Sequence, residues 1–169
     1  MTVDKEIILK ALKEAKTPYT AFIARDLGIP ERDLFRALPE EQCTELECKN
    51  LSEILSELAA CKTVFLIVKS GGAVLEVEST VSGTAFSKGY CNVMGKPAHI
   101  HIIPDAIDAA FAVHREPNTR KPMKFSLQFF DAEGRPALKV YLTQDKDAKR
   151  YREADRTAFD RIRKNYRKG

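Results

Sequence analysis

The chain has 169 residues, 44% hydrophobic and 31% charged, with a formal net charge of +4. That balance excludes a disordered or low-complexity chain and suits one globular domain able to bury its own core. It also argues against a strongly basic nucleic-acid surface, and the longest purely apolar run, "VFLIV" at 64–68, is too short to span a bilayer as a helix.

In chain order, Ile8, Leu9, Leu12 and Ala15 recur at helical spacing, predicting a first amphipathic helix over 4–16. Thr17-Pro18 interrupts it. A short helix through Ala24 and Leu27 then stops at Gly28, and a second starts at Pro30 and ends at Pro39. "EQCTELEC" (41–48) reads as a strand, and Asn50 as the cap of a helix carrying Leu51, Ile54, Leu55 and Leu58 on one face. From there the period changes to two. "KTVFLIVKS", Gly71-Gly72 and "AVLEVES" form a hairpin; "AFSKGYCNVM" and "PAHIHII" pair around Gly95. "AAFAVHRE" (109–116) is a strand, "MKFSLQFF" and "ALKVYLTQ" pair around Asp131–Gly134, and a long charged helix runs from Asp145 to about Asn165. Its predicted inward face is Tyr151, Ala154, Ala158, Phe159 and Ile162.

Helices first, then strands, then a helix, with no βαβ alternation, predict an α+β fold: N-terminal helices, a large antiparallel β-sheet and a long C-terminal helix. An N-terminal helical segment (1–40) and a sheet domain (41–169) together make one compact domain. The opening "MTVDKEIILKALKEAK" is charged throughout and lacks the apolar core of a signal peptide, so a soluble, cytoplasmic protein is expected. The C-terminal stretch 144–169 holds ten Lys/Arg against five Asp/Glu, leaving 18 against 19 elsewhere. This excess reads as a solvated helix face with i,i+4 pairs.

Cys43, Cys48, Cys61 and Cys91 form no CxxC pair; in a reducing compartment they are expected reduced and buried. Residues 18–38 contain Ala24 and Gly28 at helix-turn-helix spacing, but the second helix, with Glu31, Arg32, Asp33 and Arg36, is charge-balanced and suited poorly to phosphates. A nucleic-acid-binding regulator is therefore the weaker alternative. In "AHIHI" (98–102) the strand alternation sends Ala98, Ile100 and Ile102 to one face and His99 and His101 to the other. Two imidazoles on one face can share a metal, or be ordinary polar residues on an open strand face. A non-heme metal protein using His99 and His101, with Asp105 and His114 following, is a second alternative, although those two do not fall at the spacing of a cupin site. Tyr90, one strand earlier, can converge on the same place. No nucleophile elbow, P-loop or dinucleotide fingerprint is present.

Five pieces in order, "LFRALPEE" (34–41), "TVFLIVKSGGAVLEVE" (63–78), "GYCNV" (89–93), "AHIHI" (98–102) and "SLQFFDAEGRPALKVYLTQD" (126–145), resemble the ChuX/HutX family of cytosolic heme-utilization carriers, which is similar to one half of the larger ChuS/HemS heme proteins. The resemblance implies an α+β homodimer that binds b-type, non-covalent heme as a carrier rather than an enzyme, passing it to a heme-accepting enzyme. It also implies iron ligation by His99 or Tyr90, with His101 beside them, either supporting the ligand or facing the iron from the distal side. His99 is favoured, because a neutral imidazole binds iron without losing a proton and a phenol does not. Lys88, Lys96, Arg120 and Lys121 are candidate partners of the heme propionates. The sequence departs from the family pattern at Lys69, where a histidine often stands, at Lys88 and at Ala98. A sheet with its helices on one side leaves a face that a second copy can cover.

Overall fold

The computed structural model of the chain describes residues 3–115 and 124–169. Three helices come first: α1 (Lys5–Glu14), α2 (Thr20–Leu27) and α3 (Glu31–Ala37). The Asp4 carboxylate accepts from the Glu6 amide at 2.8 Å, satisfying one orphan donor at the start of α1. The strands are β1 (Cys43–Leu46), β2 (Val64–Ser70), β3 (Ala73–Ser79), β4 (Gly83–Ser87), β5 (Tyr90–Met94), β6 (Ile100–Ile102), β7 (Ala109–Arg115), β8 (Lys124–Phe130) and β9 (Pro136–Leu142). Two further helices are α4 (Leu51–Ser56) and α5 (Glu153–Asn165).

All pairings are antiparallel, but the strands form two sheets rather than one. Six lie in the order β1-β7-β8-β9-β2-β3 and three in the order β4-β5-β6. The inner face of the large sheet, with Phe125, Leu127, Leu138 and Val140, shares one core with α4, α5 and the inward residues Cys91, Val93 and Ile102 of the small sheet. The opposite face of β7 and β8 is covered by α1–α3: Phe35 packs on Phe111 and Phe130 with ring centroids 6.0 and 5.4 Å away. Burying each such ring contributes about 2 kcal/mol, so the N-terminal helices are fastened to the sheet. Covered on both faces, β8 is buried from Phe125 to Phe130.

Helices thus lie on both sides of the large sheet, not one, because the apolar residues of β7 alternate without a polar face. Other expectations are corrected as well. "AFSKGYCNVM" is not one strand but β4 and β5, joined by a two-residue turn in which Lys88 (φ 52°) and Gly89 (φ 80°) are both left-handed, the backbone that a tight hairpin requires. The last helix begins at Glu153, because the Asp145 carboxylate accepts from the Asp147 and Ala148 amides at 3.0 and 2.9 Å and closes a turn there. Within it Ala154 is exposed, and Asp155 takes the inward place with Ala158, Phe159 and Ile162. Asn50 stands at the start of α4, yet its side chain makes no capping hydrogen bond, since a 3-10 turn over Cys48–Asn50 leads in. The arginines of α5 reach other elements, with Arg161 on Glu57 and Arg163 on Thr44, and among the described residues they form no i,i+4 ion pair along the helix.

Candidate functional site

The small sheet turns one face to the core and one to solvent. Cys91 and Val93 are buried and Ile100 packs on the core, so Tyr90, Asn92 and Met94 of β5 and His101 of β6 face outward. His99 lies just before β6 and is exposed. Tyr90 and Met94 are each 40% exposed and Ile103, just past β6, 50%. Such a cluster of apolar side chains beside two imidazoles differs from ordinary polar surface.

Local backbone explains the aim of these side chains. The Lys88-Gly89 turn starts β5 at Tyr90. At the other end, Gly95 lies so close to the large sheet's β3 exit that an added Cβ would sit 2.1 Å from the Thr80 carbonyl oxygen, which leaves room for glycine alone. The Thr80 amide donates to the Lys96 carbonyl at 3.0 Å and the Ala98 amide to Ser79 Oγ at 3.3 Å, fixing the loop that delivers His99 and β6. The register then places Asn92 directly opposite His101.

That opposition brings two polar side chains together. Asn92 Oδ1 lies 2.6 Å from His101 Nδ1, while Asn92 Nδ2 donates to the Ala85 and Tyr90 carbonyls at 2.9 and 3.1 Å. The Tyr90 ring stands edge-on to His101, centroids 6.4 Å apart at 79°. By contrast, no hydrogen bond among the described residues holds the His99 ring. Lys88 and Lys96 are exposed on the loops at either end of β5. Arg120 and Lys121 lie outside the described residues.

The structure does not bring the remaining candidates here. His114 is on the inner face of β7, stacked on Phe125 at 4.2 Å and 14°. Burial, then Arg163, holds its imidazole below the usual 6.5. Asp105 sits in a 3-10 turn after β6. Among the described residues no group of three or more His, Cys, Asp or Glu is gathered for a metal ion. The cysteines are free, and burial pushes the Cys43 and Cys61 thiols up to about 12, which disfavours thiolate ligation. In α3, Arg32 pairs with Asp108 at 2.7 Å and Arg36 with Glu45 at 3.6 Å, so both arginines of the would-be recognition helix are engaged within the molecule.

A second feature went unseen in the sequence. Where α1–α3 leave the large sheet uncovered, a groove of about 650 Å³ lies on β9, β2 and β3, walled by Tyr19, Phe22, Phe65, Ile67, Val74 and Tyr141. Lys69 is among its lining residues, and among the described residues neither histidine nor cysteine lines it. Its signal was "VFLIV", apolar at every position and therefore apolar on both faces of one strand. Asn92 was likewise passed over within "GYCNV", although a polar residue two positions after Tyr90 must share its face.

Residues 28–159 match the family described as the haemin-degrading HemS.ChuX domain. The intracellular heme transport protein HutX of Vibrio cholerae is 29% identical over 140 residues, 82% of this chain and 72% of that one. Among solved structures, the heme-binding protein ChuX superposes with a TM-score of 0.80 at 18% identity, over 95% of this chain and 97% of that one. The heme-degrading enzyme ChuS of Escherichia coli O157:H7 superposes with 0.78 at 14% identity, over 96% of this chain and 48% of that one, so the fold here corresponds to half of that protein. Among the described residues no helix is long and apolar enough to cross a membrane.

Proposed function

The chain belongs to the HemS/ChuX domain family, and from that premise we propose that it is a heme-binding protein of heme-iron utilization, an intracellular carrier that holds heme on the outer face of its small sheet. The observation that carries this reading is the juxtaposition of Tyr90, His101 and the Asn92 amide, with His99 beside them. A bare metal ion needs three or more protein donors, whereas the porphyrin fills four positions of heme iron and leaves one or two for the protein. Two or three donors on an apolar sheet face suit the second case. Tyr90, Met94 and Ile103 offer apolar contact to the macrocycle, and Lys88 and Lys96 are placed to meet propionates, each exposed pair contributing up to about 1 kcal/mol.

One open sheet face can cover only one side of a planar ligand. A second copy covering the other side completes the site, which supports a homodimer. The heme is b-type and held non-covalently: no Cys-x-x-Cys-His occurs, and Cys91, the cysteine of this sheet, is buried on the inward face. Heme is cargo here, destined in the cytoplasm for a heme-accepting enzyme.

The test is a hemin titration of the purified protein followed in the visible region, with Tyr90→Phe, His99→Ala and His101→Ala in parallel. A Soret band saturating at a fixed heme:protomer ratio, weakened by at least one variant, is expected. Three unaltered titrations would place the site elsewhere. Bleaching of the bound band under reductant and oxygen would replace carriage by degradation, and a strictly monomeric species by sedimentation at tens of micromolar would remove the second copy.

A further inference from the structure

Between the N-terminal helices and the outer face of the large sheet lies a recess of about 60 Å³, distinct from the face of the small sheet. It adjoins the groove, with Pro18, Thr20, Lys124 and Tyr141 lining both. The register sets Arg115 of β7 opposite Lys124 of β8, and alternation puts Ser126 and Gln128 on the same face as Lys124. Gln128 is 1% exposed; its Nε2 donates to Ser126 Oγ at 2.9 Å, and its Oε1 meets no partner among the described residues. Arg115 is half-buried, and among the described residues no hydrogen bond or ion pair reaches its guanidinium. Burial holds that guanidinium below the usual 12.5, and no carboxylate opposes the shift. The Glu31 carboxylate, bonded to Thr20 of the recess, is also taken up by Lys139.

A half-buried cation without a partner and a buried amide with an unmet atom call for the same occupant. The Ser126 hydroxyl can donate or accept, so a half-turn of the Gln128 amide keeps their bond and puts Nε2, a donor, where the orphan oxygen stood. Water in the recess would satisfy the amide but leave the charge unpaired. A carboxylate satisfies both: its two oxygens match the guanidinium fork, and one of them also accepts from Nε2. We propose that this recess binds a carboxylate, paired with Arg115 and held by Gln128. Neither heme nor the small sheet enters this site. The carboxylate belongs either to a small free acid or to an apolar acid whose body lies in the groove. Glu76 and Glu78 line the β3 side of the groove and repel a like charge, so such an acid points its head toward Arg115.

Calorimetric titration of the heme-free protein with acetate, octanoate and 1-octanol at constant ionic strength is the test. Octanoate should bind saturably, one per protomer, and 1-octanol at least about 10-fold more weakly. Acetate matching octanoate identifies a small free acid; octanoate exceeding acetate identifies an apolar acid seated in the groove. Arg115→Gln should weaken octanoate binding about 10–100-fold, and Gln128→Leu about 10-fold. Without ligand, Arg115→Gln should leave the urea midpoint unchanged or raise it, because the guanidinium has no partner there to lose. A lowered midpoint would mean that Arg115 is already paired within the chain, and overturns the proposal. So does parental octanoate affinity in either variant. The comparison of acid with alcohol needs no variant: equal affinity for octanoate and 1-octanol, or no saturable binding of either acid up to tens of millimolar, overturns it as well.

Discussion

The outer faces of the two sheets divide between them what a heme site needs. The small sheet offers Tyr90 and His101, with Asn92 opposite His101 in register, on a face open to solvent. The large sheet offers a groove of about 650 Å³ lined by Phe65, Ile67 and Val74, but no imidazole among the described residues. Volume and ligand chemistry are separate criteria, and the larger concavity is not by itself where an iron-bearing ligand belongs. What surrounds each face explains the division. Large-sheet strands are apolar on both sides because helices cover part of the outer face, and the groove is the part left over. The small sheet packs only one face on the core, so its other face is free to carry polar side chains.

The sharpest way to break this comparison is to damage one face at a time. The double variant His99→Ala/His101→Ala should abolish saturable hemin binding, while Ile67→Glu and Val74→Glu, which place charge in the groove, should leave the titration unchanged. The opposite pattern, read from the same Soret titrations, would move the heme to the large sheet.

The inner end of the groove has a structural role of its own. Glu31, buried on α3, accepts from Thr20 Oγ1 and from Lys139 Nζ of β9, both at 2.5 Å, and so ties two helices to the sheet. Removing one partner of a buried pair leaves an uncompensated charge. Lys139→Met should lower the unfolding free energy by about 3 kcal/mol in urea titrations without altering hemin affinity. An affinity loss as large as that of the histidine variants would show that the two faces are not independent.

How legible these faces were in the sequence depended on local or long-range determinants. The β2–β3 and β8–β9 hairpins could be read because Gly71-Gly72 and Asp131–Gly134 interrupt period-two runs. The β4–β5 hairpin was hidden because its turn uses Lys88, a residue that seldom adopts positive φ. The start of α5 leaves no mark in the sequence because Asp145–Arg152 is as charged as the helix that follows. At the site, alternation alone put His99 and His101 on one face. The role of Asn92 depends on its pairing with His101, and that register is set by the length and anchoring of the Gly95–His99 loop, which local pattern does not encode.

A smaller effect sharpens the donor assignment. Cys91 is fully buried on the inward face of β5, one residue from Tyr90, and burial raises its thiol above the ordinary 9.0. Cys91→Ala should cost about 1 kcal/mol of stability and leave the hemin spectrum as it is. A changed spectrum would mean that the strand turns over when the ligand binds.

The smallest expected effect concerns the third histidine, which lies on neither outer face. His114 stacks on Phe125, and burial depresses its affinity for a proton; Arg163 and Arg156 act in the same direction and Asp160 opposes them. The unfolded chain therefore holds a proton on His114 up to about 6.5, whereas the folded chain releases it at lower pH. Between those two values the unfolded state binds more protons, so stability rises with pH through this window and falls as the solution is acidified. Carboxylates add acid sensitivity of their own, but equally to the parent and to His114→Gln, so the difference between the two isolates the histidine. Urea midpoints at about pH 5 and about pH 8 should fall further on acidification for the parent than for His114→Gln, with hemin affinity the same in both. Equal acid sensitivity would mean that stacking on Phe125 does not exclude the protonated ring. Weakened hemin binding would join His114 to the site and undo the separation between the inner face of the large sheet and the outer face of the small one.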